Sequence, residues 1–477
     1  MKILLVNPHG SNWVSGSEDR TAAAVRLPPL GILSLAAWLL REGHDVRVLD
    51  LSGTSSSGAT GRFVELVRDF APDVLGFSAV TSNFLNAYRL AETAKEIAPR
   101  TVTVFGGVHV SALRGAVLVE FPAIDLVVTG EGEQALAEIV AGNDPATIQG
   151  LVYRDGGTVR DNGIRTDLVQ LDDLPQPAYH LLEGFPSLYE GALFNYPKGP
   201  TASIISSRGC PYDCSYCDRS VFRNSFRHLS PGRLYEQMTH LRSRYGVRHI
   251  FFYDDLFTFN RRRVEEFCAL LEERPLGMTF NCAVRVGHVD DELLRMLKRA
   301  GCWMVSLGVE SGAPEILARH KSNISFPEMR ETVLRIRRNG LRVKGLFMMG
   351  LPGETEETIR ATADFINALE LDDMNMTKFT PFPGSPLYRT VREEGTFDER
   401  WELMNCMNFV FVPRGIPSRE RLDELYNQFI REFYTGRNWV RKFPGLMFKS
   451  PDSVRRIIHN LPDFLRIRRE FTGNRAK

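Results

Sequence analysis

In SSRGCPYDCSYCDRS, residues 206–220, three cysteines fall within eight positions, at Cys210, Cys214 and Cys217. Thiolates so close together ligate soft metals or iron–sulfur clusters. A structural zinc site is closed by four ligands, usually as paired C-x-x-C units, and the sequence holds no second pair. A four-iron cluster also ordinarily takes four protein ligands, and this loop offers three. Cys268, Cys282, Cys302 and Cys406 are scattered, three of them in helix or strand patterns where a buried, inert thiol is the ordinary case. A cluster with one iron lacking a protein ligand keeps a coordination site open for substrate or cofactor.

The elements that must position this loop read as six βα units. Strand patterns at 201–209, 247–255, 278–286, 303–311, 342–350 and 372–382 alternate with helical ones such as DDELLRMLKRAG and TEETIRATADFINALE. That rhythm predicts a partial parallel (β/α)6 barrel over 198–395, with chemistry at the carboxyl ends of its strands. The cysteines follow the first of them. Residues 1–150 carry a second α/β alternation, with β-branched runs at 2–6, 45–50, 73–80, 101–107 and 125–130, the pattern of a doubly wound parallel sheet. Ligands of such a sheet lie beyond the strand ends, which singles out Asn7, Pro8, Ser78, Thr81, Ser82, Gly106, Gly107, His109, Gly130, Glu131, Gly132 and Glu133. Glycines there let backbone approach a flat or anionic ligand. The proline-rich stretch 151–197 reads as an ordered connector passing over the surface, and 396–477 as a mainly helical C-terminal segment.

Composition is that of an ordinary soluble globular protein of two or three domains. The chain has 477 residues, 43% hydrophobic and 25% charged, and its 59 Lys and Arg nearly cancel 58 Asp and Glu, so no global field points to nucleic acid. Seven cysteines without a secretory signal predict a reducing, cytoplasmic setting, and no apolar run approaches a membrane span. Residues 437–477 carry 11 Lys or Arg against 3 Asp or Glu, interleaved with Trp439, Phe443, Leu446, Met447, Phe448, Ile457, Ile458, Leu461, Phe464 and Leu465. Such a tail either lies on an anionic bilayer, serving a lipid-like substrate, or packs its apolar side on the barrel.

C-x-x-x-C-x-x-C after a first barrel strand, with Tyr216 before the last cysteine, resembles the radical S-adenosylmethionine superfamily. FFYDDLFTFN, CAVRVGHVDDELLRMLKRAGCWMVSLGVESG, GLFMMGLPGET and TPFPGSPLY extend the resemblance over about residues 200–390. It implies one [4Fe-4S] cluster on Cys210, Cys214 and Cys217. It also implies S-adenosylmethionine contacts from Tyr216, Asp254, Asp255, Arg285, Glu310, Met348 and Gly350. Many members have Gly-Gly-Glu where this chain has Asp254 and Asp255. With the preceding flavodoxin-like domain, the chain resembles the cobalamin-binding subgroup, which includes anaerobic magnesium-protoporphyrin ester cyclases, hopanoid-modifying enzymes and many C-methylases. PPLGILSLAAWLLREGHDV, FGGVHVSAL and TGEGEQAL stand where that group has comparable segments. One departure matters: the D-x-H-x-x-G source of an axial histidine is broken, with Gly107 and Ala112 flanking His109. The resemblance therefore implies cobalamin with no imidazole below the cobalt.

The implied reaction starts when a one-electron reductant such as flavodoxin or ferredoxin supplies the cluster and S-adenosylmethionine is cleaved. The resulting 5′-deoxyadenosyl radical takes hydrogen from an unactivated carbon of a small-molecule, lipid-like or tetrapyrrole-like substrate. Methyl transfer is the favoured outcome, and radical cyclisation or oxidation the alternative. A cobalamin-holding sensor with a structural cluster would not need cofactor residues at successive strand ends.

Overall fold

A computed structural model of the chain describes residues 1–10, 25–321 and 324–459. Strands β1 (Lys2–Asn7), β2 (Asp45–Asp50), β3 (Val74–Ser78), β4 (Val102–Gly106) and β5 (Leu126–Val128) pair in parallel in the order β2-β1-β3-β4-β5, the doubly wound arrangement. Their interiors are apolar on both faces: Ile3, Leu4, Leu5 and Val6 are all buried, as a sheet sandwiched by helices requires. The chain reverses between β1 and β3, so a crevice opens at their carboxyl ends.

The boundary expected at 150 cuts through this sheet. β6 (Leu151–Asp155) and β7 (Thr158–Asp161) form an antiparallel hairpin that extends the edge beyond β5. Nor does the rest of the connector run over the surface. Leu171, Leu174, Tyr179, Leu182 and Tyr189 are buried in the same core as the barrel. The Tyr179 hydroxyl donates to the Ser203 carbonyl at 2.6 Å and that of Tyr189 to Asp50 at 2.8 Å, so the connector bonds to both sheets. Its prolines mark turns, and the apolar residues between them are what it buries.

The second sheet begins with β8 (Thr201–Ile204), followed by a short ribbon of β9 (Ser207–Arg208) and β10 (Arg227–His228). It continues with β11 (His249–Phe252), β12 (Thr279–Val284), β13 (Cys302–Glu310), β14 (Arg342–Met349) and β15 (Asp373–Lys378). All six long strands are parallel and ordered by sequence, and β8 and β15 stay unpaired with each other: an open, partial (β/α)6 barrel. The crossing helices carry their own start and stop signals. Asp290 caps Asp291–Arg299 by accepting from Leu293 N, acids fill that helix's first turn and bases its last, and Thr355 forms a capping box with Thr358. Cys268, Cys282 and Cys302, scattered in sequence, meet in this core as buried thiols, and burial pushes Cys268 well up.

The basic tail uses its apolar residues on two faces. Trp439, Phe443 and Leu446 turn inward, with Phe443 edge-on to Phe194 at 5.7 Å. Lys442 donates to the Leu371 carbonyl at 2.9 Å, while Asp452 and Ser453 accept from Gly199 N and Phe194 N. Gly199 and Leu371 immediately precede β8 and β15, so the tail closes the amino ends of the barrel, opposite the cysteine loop. Val440, Met447 and Phe448 point outward, Phe448 with 88% exposure. Leu461, Phe464 and Leu465 lie outside the described residues. No helix among those described is long and apolar enough to cross a membrane.

Candidate functional site

The cysteine loop is held by backbone bonds from neighbouring strand ends. Asp254, after β11, is buried and saturated: it accepts from Ser206 N at 2.6 Å, Ser207 N at 3.0 Å and Ser206 Oγ at 2.5 Å. Burial raises its carboxyl even though Arg263 and these bonds oppose the shift. Asp255 accepts from Gly209 N at 3.0 Å and is exposed. The two acids expected at one subsite therefore divide the work. Asp254 fixes the backbone leading into the loop, and Asp255 keeps a free oxygen.

On the other side His320 clamps the loop. Its Nε2 donates to the Pro352 carbonyl at 2.7 Å, which leaves Nδ1 to accept from Ser215 Oγ at 2.8 Å, and its own carbonyl accepts from Ser215 N. Cys214 is buried and Cys210 partly so; a hydrogen bond from Cys217 holds the Cys214 thiol below its usual range and pushes Cys217 up. Among the described residues no three His, Cys, Asp or Glu side chains converge as ligands of one metal ion. Cysteines on a cubane cluster bind separate irons, so three sulphurs spread around one loop fit that group, with a fourth iron left to a cofactor.

Around the loop the other expected contacts gather. Tyr216 and Met348 pack against one apolar cluster. The Arg285 guanidinium lies 3.7 Å from the centre of the Tyr212 ring. Glu310 ends β13 with φ of 66°, a left-handed conformation costing a non-glycine residue about 1–2 kcal/mol. It falls at a register shift in the β13–β14 pairing, and its carboxylate meets buried Lys321 Nζ at 2.9 Å. Lys321 also donates to the Gly308 carbonyl at 2.7 Å. The Gly350 amide is not free for a nucleobase: it donates to buried Glu354 at 2.5 Å. Burial holds the Glu354 carboxyl up at about 7.

The first sheet faces the barrel across a large cleft beside this loop. Ser78, Gly106, Gly107, Gly130, Glu131, Gly132 and Glu133 line it, with Ile205 and Phe222 from the barrel side. A methyl on Gly106 would meet only the Val128 carbonyl, at 3.7 Å, so its missing side chain leaves room for a ligand. Such a cradle fits a large flat corrin. Glu131 and Glu133 are engaged: Arg208, two residues before Cys210, bonds both, Arg227 takes Glu131, and Ser34 donates to Glu133 at 2.7 Å. Burial would raise Glu133, but Arg208 and Ser34 more than offset it and hold the carboxyl below its usual range.

Five of the expected first-domain residues do not line the cleft. Asn7 donates to Asp50, the Pro8 carbonyl accepts from Asn83, and Thr81 bonds His109 at 3.2 Å. Ser82 is buried near them. His109 is buried between Phe84 and Trp401, ring centres 4.4 and 4.5 Å away, and burial drives it down to about 3. It is a core residue, because it lies in the first turn of the short helix Val108–Leu113, on the side packed against Phe84 and Trp401. Sequence reasoning missed Arg208, His320, Lys321 and Glu354. Glu354 stands inside the GLPGET segment, and Arg208 directly before Gly209, so both had a signal in their position.

Known proteins resemble the chain over both sheets. The radical SAM superfamily pattern matches residues 204–366 and the B12 binding domain pattern residues 20–140. An uncharacterized methyltransferase of Pyrococcus horikoshii is 32% identical over 393 residues, covering 81% of this chain and 82% of its own. The anaerobic magnesium-protoporphyrin IX monomethyl ester cyclase of Cereibacter sphaeroides is 28% identical, covering 91% and 70%. The fold matches that of the radical S-adenosylmethionine methyltransferase TsrM from Kitasatospora setae, solved with cobalamin and a [4Fe-4S] cluster, with a TM-score of 0.69, 19% identity and coverage of 91% and 92%.

Proposed function

We infer, since the chain belongs to the cobalamin-binding radical S-adenosylmethionine enzymes, that it methylates an unactivated carbon of a small molecule. When bound, the cluster, S-adenosylmethionine and cobalamin supply the electron, the radical and the methyl group. The chain's own residues hold and orient them. Cys210, Cys214 and Cys217 are the cluster ligands, and Asp254 and His320 fix the loop that carries them. Asp255, with one oxygen not taken by Gly209 N, would hold the amino group of the methionine moiety, and Tyr216, Arg285, Met348 and the Glu310–Lys321 pair would complete that pocket. Ser78, Gly106, Gly107, Gly130 and Gly132 receive the corrin, and His109 stays in the core without touching it. A flavodoxin or ferredoxin is the electron donor that fits.

One observation carries this reading: the glycine-lined cleft opens beside the cysteine loop, walled by Ile205, Arg208, Val221 and Phe222 on either side of that loop in sequence, with Arg208 bonded to Glu131 and Glu133 of the first sheet. A methyl carrier held there faces the site where the radical forms. The tail serves as a cap on the far end of the barrel. Its outward Val440, Met447 and Phe448 could rest that end on a bilayer without passing substrate to the site. The test is anaerobic incubation of protein reconstituted with cobalamin, reductant and methyl-deuterated S-adenosylmethionine, with mass spectrometry of a small-molecule, lipid and tetrapyrrole extract of the host. A product carrying the labelled methyl supports the reading. A product that has lost hydrogen or gained a ring without label replaces it with the cyclase chemistry.

A further inference from the structure

A second cleft opens where the first sheet, the segment just after the cysteines and the segment after β15 meet. Gly130 lines this cleft and the larger one alike, so the two adjoin. Its far wall rests on the cysteine loop: Gly384 N donates to Asp218 at 3.1 Å, and Leu387 N to the Ser215 carbonyl at 3.2 Å. Asp218 directly follows Cys217. A molecule in this cleft therefore sits beside the place where the chemistry is expected.

The lining is cationic. Arg114, Arg219, Arg223 and Arg389 line the cleft together with Ser111, Ser220 and Ser385, and among the described residues no acidic side chain lines it. Two of the arginines are answered from outside, Arg114 by Asp161 at 2.7 Å and Arg219 by Asp213 at 2.9 Å. The other two are not. Arg223 reaches only the Arg165 carbonyl, at 3.5 Å, and Arg389 has no ion pair among the described residues. Both are exposed at the mouth. Burial, and then the like charge of Arg114, press Arg223 downward, a shift that a bound anion would relieve.

We propose that this cleft is the substrate's anion-binding subsite, and that the substrate carries an oxyanion, phosphoryl or carboxylate, gripped by Arg223 and Arg389. Planar guanidinium forks match such groups two bonds at a time, and the Ser111 hydroxyl, which accepts from Gly130 N at 3.0 Å, keeps its own proton to donate to a remaining oxygen. The substrate's neutral part then extends past Gly130 toward the corrin cradle. This deepens the methyltransferase reading and rests on it for the identity of the ligand as substrate.

Calorimetric titration of the reconstituted holoprotein with inorganic pyrophosphate and, separately, with succinate tests it. Wild-type protein should bind at least one of them, more weakly as salt rises, and the preferred probe tells phosphoryl from carboxylate chemistry. R389Q should weaken that binding severalfold and R223Q/R389Q at least tenfold, whereas R262Q, at an exposed arginine paired with Glu266 on a distant helix, should match wild type. Absent binding by wild type, or equal binding by the double variant, overturns the proposal. The titration contains no S-adenosylmethionine, and cleavage of that cofactor by wild type is assayed separately. Arginine-dependent binding without cleavage would sink the enzyme reading and leave the anion subsite standing.

Discussion

The two parallel sheets of this chain both present their carboxyl ends to the same junction, yet they finish in different chemistry. The first ends in Gly106, Gly107, Gly130 and Gly132, and its charged Glu131 and Glu133 are spent on Arg208 and Arg227. The second ends in Asp254, Asp255, Arg285, Glu310 and, close by, Lys321 and Glu354, most of them fixed by backbone amides or an opposite charge. One edge is shaped to admit a large ligand. The other is a set of pre-oriented charges around a reactive centre, where their placement before the ligand arrives is what makes them effective. Changes at the second edge should therefore break the site, while changes at the first should only obstruct it.

The sharpest break is at the loop itself. Cys214→Ala removes the most buried of the three sulphurs, and anaerobic reconstitution should leave iron and sulfide at background with no reductive cleavage of S-adenosylmethionine. A full complement of iron in this variant would show that Cys214 is no ligand. Next in size is the buried pair beneath. Lys321→Met strands the Glu310 carboxylate, only 15% exposed, and should cost about 3 kcal/mol in denaturant unfolding of the cluster-free protein. The double variant with Glu310→Gln should recover much of it. If the single variant unfolds like wild type, the pair is not a stabilising one.

Glu354 sharpens the contrast through pH. Its folded value of about 7 lies above the ordinary 4.5 of a glutamate. Between those values the unfolded chain releases the proton while the folded chain keeps it. Stability from this group is then full below about pH 4.5 and falls as pH rises toward 7, by at most about 3 kcal/mol. Glu354→Gln keeps an acceptor for Gly350 N and Leu351 N but cannot ionise, so its stability should lose that slope, and the two proteins should diverge most near neutral pH. Parallel stability curves across this range would mean that Glu354 does not titrate there.

Much of this contrast could be read before the fold. Apolar strand runs alternating with amphipathic helices place all six barrel strands within a few residues of where they lie, because each βα unit needs both patterns in turn. Spacing alone singles out Cys210, Cys214 and Cys217. What sequence does not reveal is direction. His109 follows two cleft-lining glycines and still turns into the core against Phe84 and Trp401, a partner nearly 300 residues away. Asp254 and Asp255 are adjacent and chemically alike, yet one is buried with both oxygens taken by Ser206 and Ser207 and the other is exposed with one oxygen taken by Gly209 N. Lys321 is legible only through Glu310, since its meaning depends on a contact across 11 residues of strand end and helix. The connector misleads for a related reason. Prolines mark where it turns, and only packing shows that its leucines and tyrosines fill the space between the sheets.

The smallest expected effect tests the first edge by filling it. At Gly106 a side chain would meet only the Val128 carbonyl at contact distance, and its backbone is not in the left-handed region, so leucine is tolerated by the fold. Its branches would occupy the cleft. Because nothing charged is removed, the cost should fall on the ligand alone: Gly106→Leu should unfold like wild type but bind cobalamin about tenfold more weakly, roughly 1.4 kcal/mol. The same substitution at Gly107 is no control, since its φ of 99° and a 2.7 Å approach to the Ala79 carbonyl would strain the chain itself. Equal affinity in Gly106→Leu would place the corrin elsewhere and remove shape as the principle of that edge. A large loss of folding stability would instead show that the strand end, like its counterpart in the barrel, is held by interactions that a single side chain can break.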